Sequence, residues 1–166
     1  MSEPVPFDPV GTLQALHDAG VEFVLSGGVA ARMHGSPSLT RDIDICYARD
    51  RDNLERLATM LRKYHAYLRG QAIDDDLPFV LDARTLQAGG NFTFSTDLGS
   101  LDILAVPAGV EGFDDLAKRA ELVDLGGFSV RVATLDDLIR MKRAAGRAKD
   151  RAEVEILSAL RDELGG

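Results

Sequence analysis

Leu25-Ser26-Gly27-Gly28, then Asp42-Ile43-Asp44-Ile45, then Leu101-Asp102-Ile103-Leu104 are the three short runs on which the reading of this chain turns. Side chains at i and i+2 of a strand leave the same face, roughly 6.6 Å apart at strand rise. Asp42 and Asp44 therefore project together, while Ile43 and Ile45 project into a core. Asp102, held between Leu101 and Ile103, brings a third carboxylate on a second strand. Like charges side by side repel, and a divalent ion relieves that repulsion. Three converging carboxylates form a hard, oxygen-only donor set that suits Mg²⁺, or Mn²⁺, and leaves positions for water and phosphate. Ser26-Gly27-Gly28 closes a short apolar strand and opens a helix. Glycine there permits close backbone approach, and a helix start turns N–H groups toward an anion. A D-x-D alone is an ordinary solvated strand face, and a Gly-Gly alone is an ordinary turn. Their conjunction with a third, apolar-flanked Asp reads as a nucleotide site.

Working outward, Asp8-Pro9 starts a helix that carries Leu13, Leu16 and Ala19 on one stripe and stops at Gly20. Val21 to Leu25 reads as a buried strand, Val29 to His34 as a short helix and Asp42 to Tyr47 as a second strand. Asn53 to Tyr64 is helical by the spacing of Leu54, Leu57, Met60 and Leu61. Residues His65 to Gly90 predict a strand with loops, including a solvated acidic loop at Asp74-Asp75-Asp76. Asn91 to Ser95 and Leu101 to Val106 read as strands joined by the turn Asp97 to Ser100. A helix over Glu111 to Arg119 follows, then a hairpin, Glu121 to Leu125 and Phe128 to Val132, about Gly126-Gly127. Thr134 with Asp136 and Asp137 caps a helix reaching Ala145, and a last helix runs from Asp150 to Leu164. The fold class is α/β (α+β), a mixed β-sheet flanked by helices. Residues 1–133 read as the core and 134–166 as a helical segment packed on it, one compact domain overall.

The chain has 166 residues, 45% hydrophobic and 28% charged, enough for a core without a disulfide or metal staple. Its single cysteine, Cys46, forms no internal disulfide and suits a reducing compartment. Met1 to Pro9 contains Glu3 and Asp8 and lacks a cationic apolar leader, and no apolar run approaches about 20 residues. The expectation is a cytoplasmic protein with no membrane partner. Net charge is −8, from 27 acidic and 19 basic side chains, which argues against wholesale wrapping of nucleic acid. The basic residues gather locally, however: Lys142, Arg143, Arg147, Lys149 and Arg151 fall together near the C-terminus. His17, His34 and His65 have no metal-ligand spacing, and His34 reads as a helix-end packing residue.

Ser26-Gly27-Gly28-Val29-Ala30, with Gly35-Ser36-Pro37-Ser38-Leu39-Thr40-Arg41-Asp42-Ile43-Asp44-Ile45, resembles the DNA polymerase β-like nucleotidyltransferase superfamily. Within it the pattern is most similar to the abortive-infection toxin-type nucleotidyltransferases of type IV toxin–antitoxin systems and their bacterial relatives. The resemblance spans about residues 10 to 151. It implies transfer of a nucleoside monophosphate from a nucleoside triphosphate to a hydroxyl or phosphate acceptor, with Mg²⁺ at the site. Acceptors in the family include transfer-RNA ends, protein side chains and small antibiotic hydroxyls. Lincosamide-type resistance enzymes share a similar Gly-Gly and D-x-D arrangement, and an antitoxin partner is implied by the toxin-type likeness. Carried over, Ser26, Gly27 and Gly28 hold phosphate, Asp42 and Asp44 hold metal, and Asp102 completes the metal site and activates the attacking hydroxyl. Lys142, Arg147 and Lys149, followed by Asp150, resemble the family's basic signature for the triphosphate. Two positions depart from the pattern: many relatives carry Ser where Gly28 stands, and Arg where Ser38 stands. The competing expectation is a non-catalytic nucleotide-binding or protein-interaction module.

Overall fold

The computed structural model describes residues 7–69 and 80–165; Asp74 to Asp76 lie outside the described residues. Helix α1 (Pro9–Asp18) begins where the Asp8 carboxylate accepts the Gly11 N–H at 2.9 Å, and it buries Leu13 and Leu16. Strand β1 (Phe23–Ser26) is buried throughout and runs straight into α2 (Gly27–Met33). The two glycines are thus the first turn of that helix rather than a loop before it. His34 ends α2, and its Nε2 donates to the Ala133 carbonyl at 2.8 Å, the packing role expected of it. Strand β2 (Asp42–Tyr47) alternates as its sequence requires, with Ile43 and Ile45 fully buried and Asp42 and Asp44 half-buried on the other face. Helix α3 (Arg51–Lys63), capped by Asp50, buries Leu54, Leu57, Met60 and Leu61.

The described residues between 65 and 90 hold a two-residue strand, β3 (Tyr67–Leu68), and a helix, α4 (Ala83–Ala88), where only strand and loops were expected. At six residues α4 is under two turns, so it has no periodicity to read, and its formation rests on Asp82 accepting from Thr85 N–H at 2.8 Å. Strands β4 (Phe92–Thr96) and β5 (Gly99–Leu104) pair antiparallel, with Thr96 opposite Gly99, so the connecting turn is tighter than the spacing implied. Helix α5 (Phe113–Arg119) leads into the hairpin of β6 (Glu121–Asp124) and β7 (Ser129–Val132). Helix α6 (Leu135–Ala145), capped by Thr134, stops at Gly146 in a left-handed conformation, and α7 (Ala148–Gly165) packs back against it.

The strands form one mixed sheet of seven, in the order β3-β4-β5-β2-β1-β7-β6. β1 is antiparallel to β2 and parallel to β7, and β2 is parallel to β5. Registration aligns Ser26 with Asp44, Asp44 with Asp102, and Asp102 with Thr93. These four side chains therefore make one row across four adjacent strands, on the face opposite buried Ile43, Ile45, Leu101 and Ile103. Among the described residues, no helix is long and apolar enough to cross a membrane.

One buried polar clamp fixes the frame beneath this row. Asn53 is wholly buried at the start of α3. It accepts from Glu22 N–H at 2.7 Å and donates to the Glu22 and Ala48 carbonyls at 3.0 and 2.8 Å, tying α3 to the chain entering β1 and leaving β2. Asn53→Ala strands the Glu22 N–H and the Ala48 carbonyl, at about 1–3 kcal/mol per unsatisfied group, while the Glu22 carbonyl keeps the Ala48 N–H at 3.1 Å. Urea unfolding should show a loss of at least about 2 kcal/mol with an unchanged slope. A midpoint equal to that of the parent would show that the clamp adds no stability.

Candidate active site

Asp42, Asp44 and Asp102 line one cavity of about 380 Å³, together with Gly27, Gly28, Thr40, Lys142, Arg147 and Lys149. Asp44 is the pivot. Burial, then the charge and hydrogen bond of Asp102, then the charge of Asp42 push its carboxyl up to about 7, against a smaller opposing pull from Lys142. Asp102 is also raised, chiefly by burial, with the Thr93 hydroxyl and Asp44 partly offsetting it by hydrogen bonding. Its Oδ1 is buried and has no hydrogen-bond partner. Asp42, two residues along β2 from Asp44 and level with Ser100 of β5, leans toward Arg69, 3.6 Å away, which also donates to Ser100 Oγ at 2.6 Å.

Two glycines make room for this arrangement. Gly27 has φ of +66°, and a Cβ there would collide with the Asp44 carboxylate. No L side chain meets both conditions comfortably. A Cβ on Gly28 would stand 2.7 Å from Thr40 Cβ, so the space a serine would use is already filled. That is the physical reason for the departure at Gly28. The departure at Ser38 also has a local cause: its hydroxyl donates to Glu153 Oε2 at 2.9 Å, and Ser36 Oγ reaches Oε1 of the same residue at 3.4 Å. The loop before β2 is thereby tied to α7.

The opposite wall of the cavity is cationic and is organised by Asp150. This carboxylate is fully buried and accepts Arg147 Nε at 2.6 Å and Nη2 at 3.2 Å, with Lys142 Nζ 3.4 Å away. It also accepts the Arg147 backbone N–H at 3.2 Å, as an acidic residue in the first turn of α7 does when it reaches back over the helix start. The Arg147 guanidinium first, then its backbone N–H and Lys142, hold the Asp150 carboxyl down at about 2 despite burial. Lys149 stands exposed one residue before Asp150, on the cavity rim.

Eight of the nine residues singled out in the sequence thus line this one cavity. Ser26 does not: it is buried, and its hydroxyl donates to the Asp44 main-chain carbonyl at 3.4 Å. The sequence reading missed Arg69, Glu153 and the organising role of Asp150. The i, i+3 spacing of Arg147 and Asp150 carries a signal for that pair. Nothing local announces Arg69 beside Asp42 or Glu153 beside Ser38, because those pairs form only when distant segments meet.

A divalent cation fits this donor set in part. Among the described residues, no three acidic, histidine or cysteine side chains converge into a cage able to hold a metal. Mg²⁺ rarely asks for one, since it is usually held by one or two carboxylates, with water and substrate phosphate completing six positions. The orphaned Asp102 Oδ1 and the mutual repulsion of Asp44 and Asp102 are what such an ion would relieve.

No family model matches the chain, and no curated protein matches its sequence. Solved structures do match. The lincosamide antibiotic adenylyltransferase LnuA, lincomycin-bound, superposes with a TM-score of 0.59 at 13% identity, over 91% of this chain and 94% of that one. The fold is that of nucleotidyltransferases. ANT(2″)-Ia in complex with adenylyl-2″-tobramycin matches at a TM-score of 0.55 and 14% identity, over 92% of this chain and 84% of its own. A provisionally assigned nucleotidyltransferase from Thermotoga maritima matches at 0.50 and 16% identity, over 96% of both chains. In this chain the nucleotidyltransferase fold carries its acidic row on β2 and β5.

Because the folded chain holds a proton on Asp44 more tightly than the unfolded chain does, the sign of its pH effect is fixed. Between the ordinary carboxyl value of 3.8 and about 7, stability falls as pH rises. Asp44→Asn removes that fall. In metal-free buffer its melting temperature should match the parent near pH 4 and exceed it by about 3 °C or more at pH 7.5, the scale of roughly 1 kcal/mol for a chain this size. A difference that stays constant across pH would show that Asp44 carries no such strain.

Proposed function

We propose that this protein is a metal-dependent nucleotidyltransferase that moves a nucleoside monophosphate from a nucleoside triphosphate to a hydroxyl or phosphate acceptor. The observation that carries the reading is the opposition, across one cavity, of the Asp44–Asp102 pair and the cations of α6 and α7. A triphosphate laid between them meets opposite charge on one side and a cation-binding pair on the other. In this reading residues 134–166 are the cation-bearing wall of a core formed by residues 1–133, and the protein works in the cytoplasm.

Phosphoryl chemistry asks for positioning and charge neutralisation more than for covalent help. The bare backbone at Gly27 and Gly28 accepts the phosphates closely; α2 has seven residues, so its macrodipole is a minor aid. Lys142 and Lys149 balance phosphate charge, and Arg147, already held by Asp150, keeps the wall in place. Asp44 and Asp102, with Asp42 beside them, hold Mg²⁺ or Mn²⁺, which when bound neutralises charge on the phosphoryl oxygens. The Asp44–Asp102 pair, with Asp102 as its base, takes the proton of the attacking hydroxyl. The acceptor oxygen forms a bond to the α-phosphorus, the α–β anhydride bond breaks, and pyrophosphate leaves with the electron pair.

The acceptor is a transfer-RNA end, a protein side chain or a small hydroxyl compound. The antibiotic-modifying neighbours support the last, and the toxin-type sequence likeness supports the first two and an antitoxin partner. A non-catalytic nucleotide-binding module is the rival, favoured by the Arg69 contact that occupies Asp42. Incubating each labelled triphosphate with Mg²⁺ or Mn²⁺ and pools of transfer RNA, protein and small hydroxyl compounds separates the two. Label in one pool names the acceptor class, whereas binding without turnover in any pool favours the module.

Two sets of variants bear on the site itself. Asp44→Asn should lower turnover by at least about 10²-fold while the fold persists, the scale on which a fixed transition-state contact acts. Unchanged turnover would remove Asp44 from the mechanism. Lys142→Ala and Lys149→Ala should each weaken a non-hydrolysable triphosphate by about 1–3 kcal/mol. Arg161→Ala, whose partner is the exposed Asp136 at 3.1 Å, should leave that affinity unchanged. Equal affinities in all three variants would reduce the basic cluster to helix-end solvation.

A further inference from the structure

A second cavity, of about 240 Å³, adjoins the first, and Gly27, Asp44, Leu138, Lys142 and Arg147 line both. Its other walls differ in kind. Leu104 ends β5, Val106 and Pro107 follow it, and Met141 and Ala145 face them from α6. Val106 is 60% exposed, so a sizeable apolar surface stands open to water beside the reacting centre. We infer that this second cavity is the acceptor pocket and that the acceptor is a small molecule whose hydroxyl sits beside an apolar group. The inference rests on the transferase reading above and deepens it.

Three observations converge. The first is stereochemical. An in-line displacement sets the attacking and leaving oxygens on opposite sides of the phosphorus. Gly28, Thr40 and Lys149 line only the first cavity, so a pyrophosphate held there leaves the second cavity, across Asp44, as the side of attack. The acceptor hydroxyl then loses its proton to the Asp44–Asp102 pair as its oxygen bonds to phosphorus and pyrophosphate departs. The second observation is charge. The two cations among its described lining residues, Lys142 and Arg147, are both paired with Asp150, so these residues offer no unpaired cation to a polynucleotide backbone. Asp44 is the one carboxylate among its described lining residues, too little for a polycationic acceptor. The third is size and surface. A volume of about 240 Å³ takes one ring or a short aliphatic group, below the span of roughly 300–1,000 Å³ that whole drug-sized ligands occupy. Met141 offers an adaptable wall to such a group. Asn91, whose Oδ1 is taken by the Ala105 N–H at 3.0 Å, has amide N–H groups to offer a polar substituent.

Methyl-¹³C methionine NMR of the full chain tests this without any turnover. Benzyl alcohol, one ring bearing one hydroxyl, is the probe, and Met141→Leu assigns the signal. The expected result is a saturable shift of the Met141 methyl with Met33 and Met60 unmoved, retained when a non-hydrolysable triphosphate and Mg²⁺ are already bound. Ala145→Phe fills the pocket from an exposed helix position and should weaken the alcohol at least tenfold while leaving triphosphate affinity within twofold. Val106→Ser, at an exposed site, should weaken the alcohol severalfold and guards against misfolding of the first variant. No Met141 shift, or a shift abolished by the triphosphate or by adenosine, would overturn the inference, the latter by making the pocket a nucleoside site; triphosphate binding would still stand. Alcohol binding with no triphosphate binding would instead overturn the transferase reading and with it the acceptor role.

Discussion

The placement of Asp44 beside Asp102 on adjacent parallel strands is the constraint from which the rest of the site follows. The β2–β5 register buries Ile43, Ile45, Leu101 and Ile103 on one face, and the same register sets the two carboxylates side by side on the other. A slip of one residue would invert both faces, so the hydrophobic core enforces the electrostatic strain. Two carboxylates held side by side at a partly buried site repel more strongly than they would in water, because the effective dielectric there is lower. The folded chain relieves this by favouring a proton on Asp44. A cation is the alternative relief, and the buried, unpartnered Asp102 Oδ1 leaves a donor for one.

The neighbouring features are accommodations to that pair. Residue 27 is glycine because Asp44 comes so close to it. Helices α6 and α7 place Lys142 and Arg147 across from the acids, and the buried Asp150 carboxylate keeps those cations from drifting by pairing with both. Glu153 draws the Ser36–Ser38 loop onto α7, so part of the first cavity's lining is held by contacts between segments 115 residues apart. Gly27, Asp44, Leu138, Lys142 and Arg147 stand between the polar cavity and the apolar one. Charge is gathered on one side of Asp44 and hydrocarbon on the other.

Much of this was legible in the sequence because it depends on local patterning. Period-two alternation in Asp42–Ile45 and Leu101–Leu104 foretold which side chains share a face, and the stripes of α1 and α3 foretold the core. Thr134 and Gly146 marked the limits of α6. What escaped was non-local or too short to carry a period. Helix α4 has six residues and one buried side chain. The departure at Gly28 has no cause in the local sequence, and only the folded loop reveals Thr40 filling the space a serine would use. Ser26, which the resemblance assigns to phosphate, ends a buried strand, gives its hydroxyl to the Asp44 carbonyl at 3.4 Å and lines the second cavity rather than the first. The Arg69–Asp42 contact joins β3 to β2 across two intervening strands, a juxtaposition no spacing rule encodes.

The central claim is that Asp44 and Asp102 together hold the cation that presents a triphosphate to Gly27 and Gly28. Anomalous diffraction from crystals grown with Mn²⁺ and a non-hydrolysable nucleoside triphosphate tests it most directly. The expected result is an Mn²⁺ peak within bonding distance of both carboxylates, with the phosphates running along the Gly27–Gly28 backbone toward Lys142 and Lys149. A nucleotide bound elsewhere, or an Mn²⁺ peak held by the triphosphate with neither carboxylate in its coordination sphere, would contradict it.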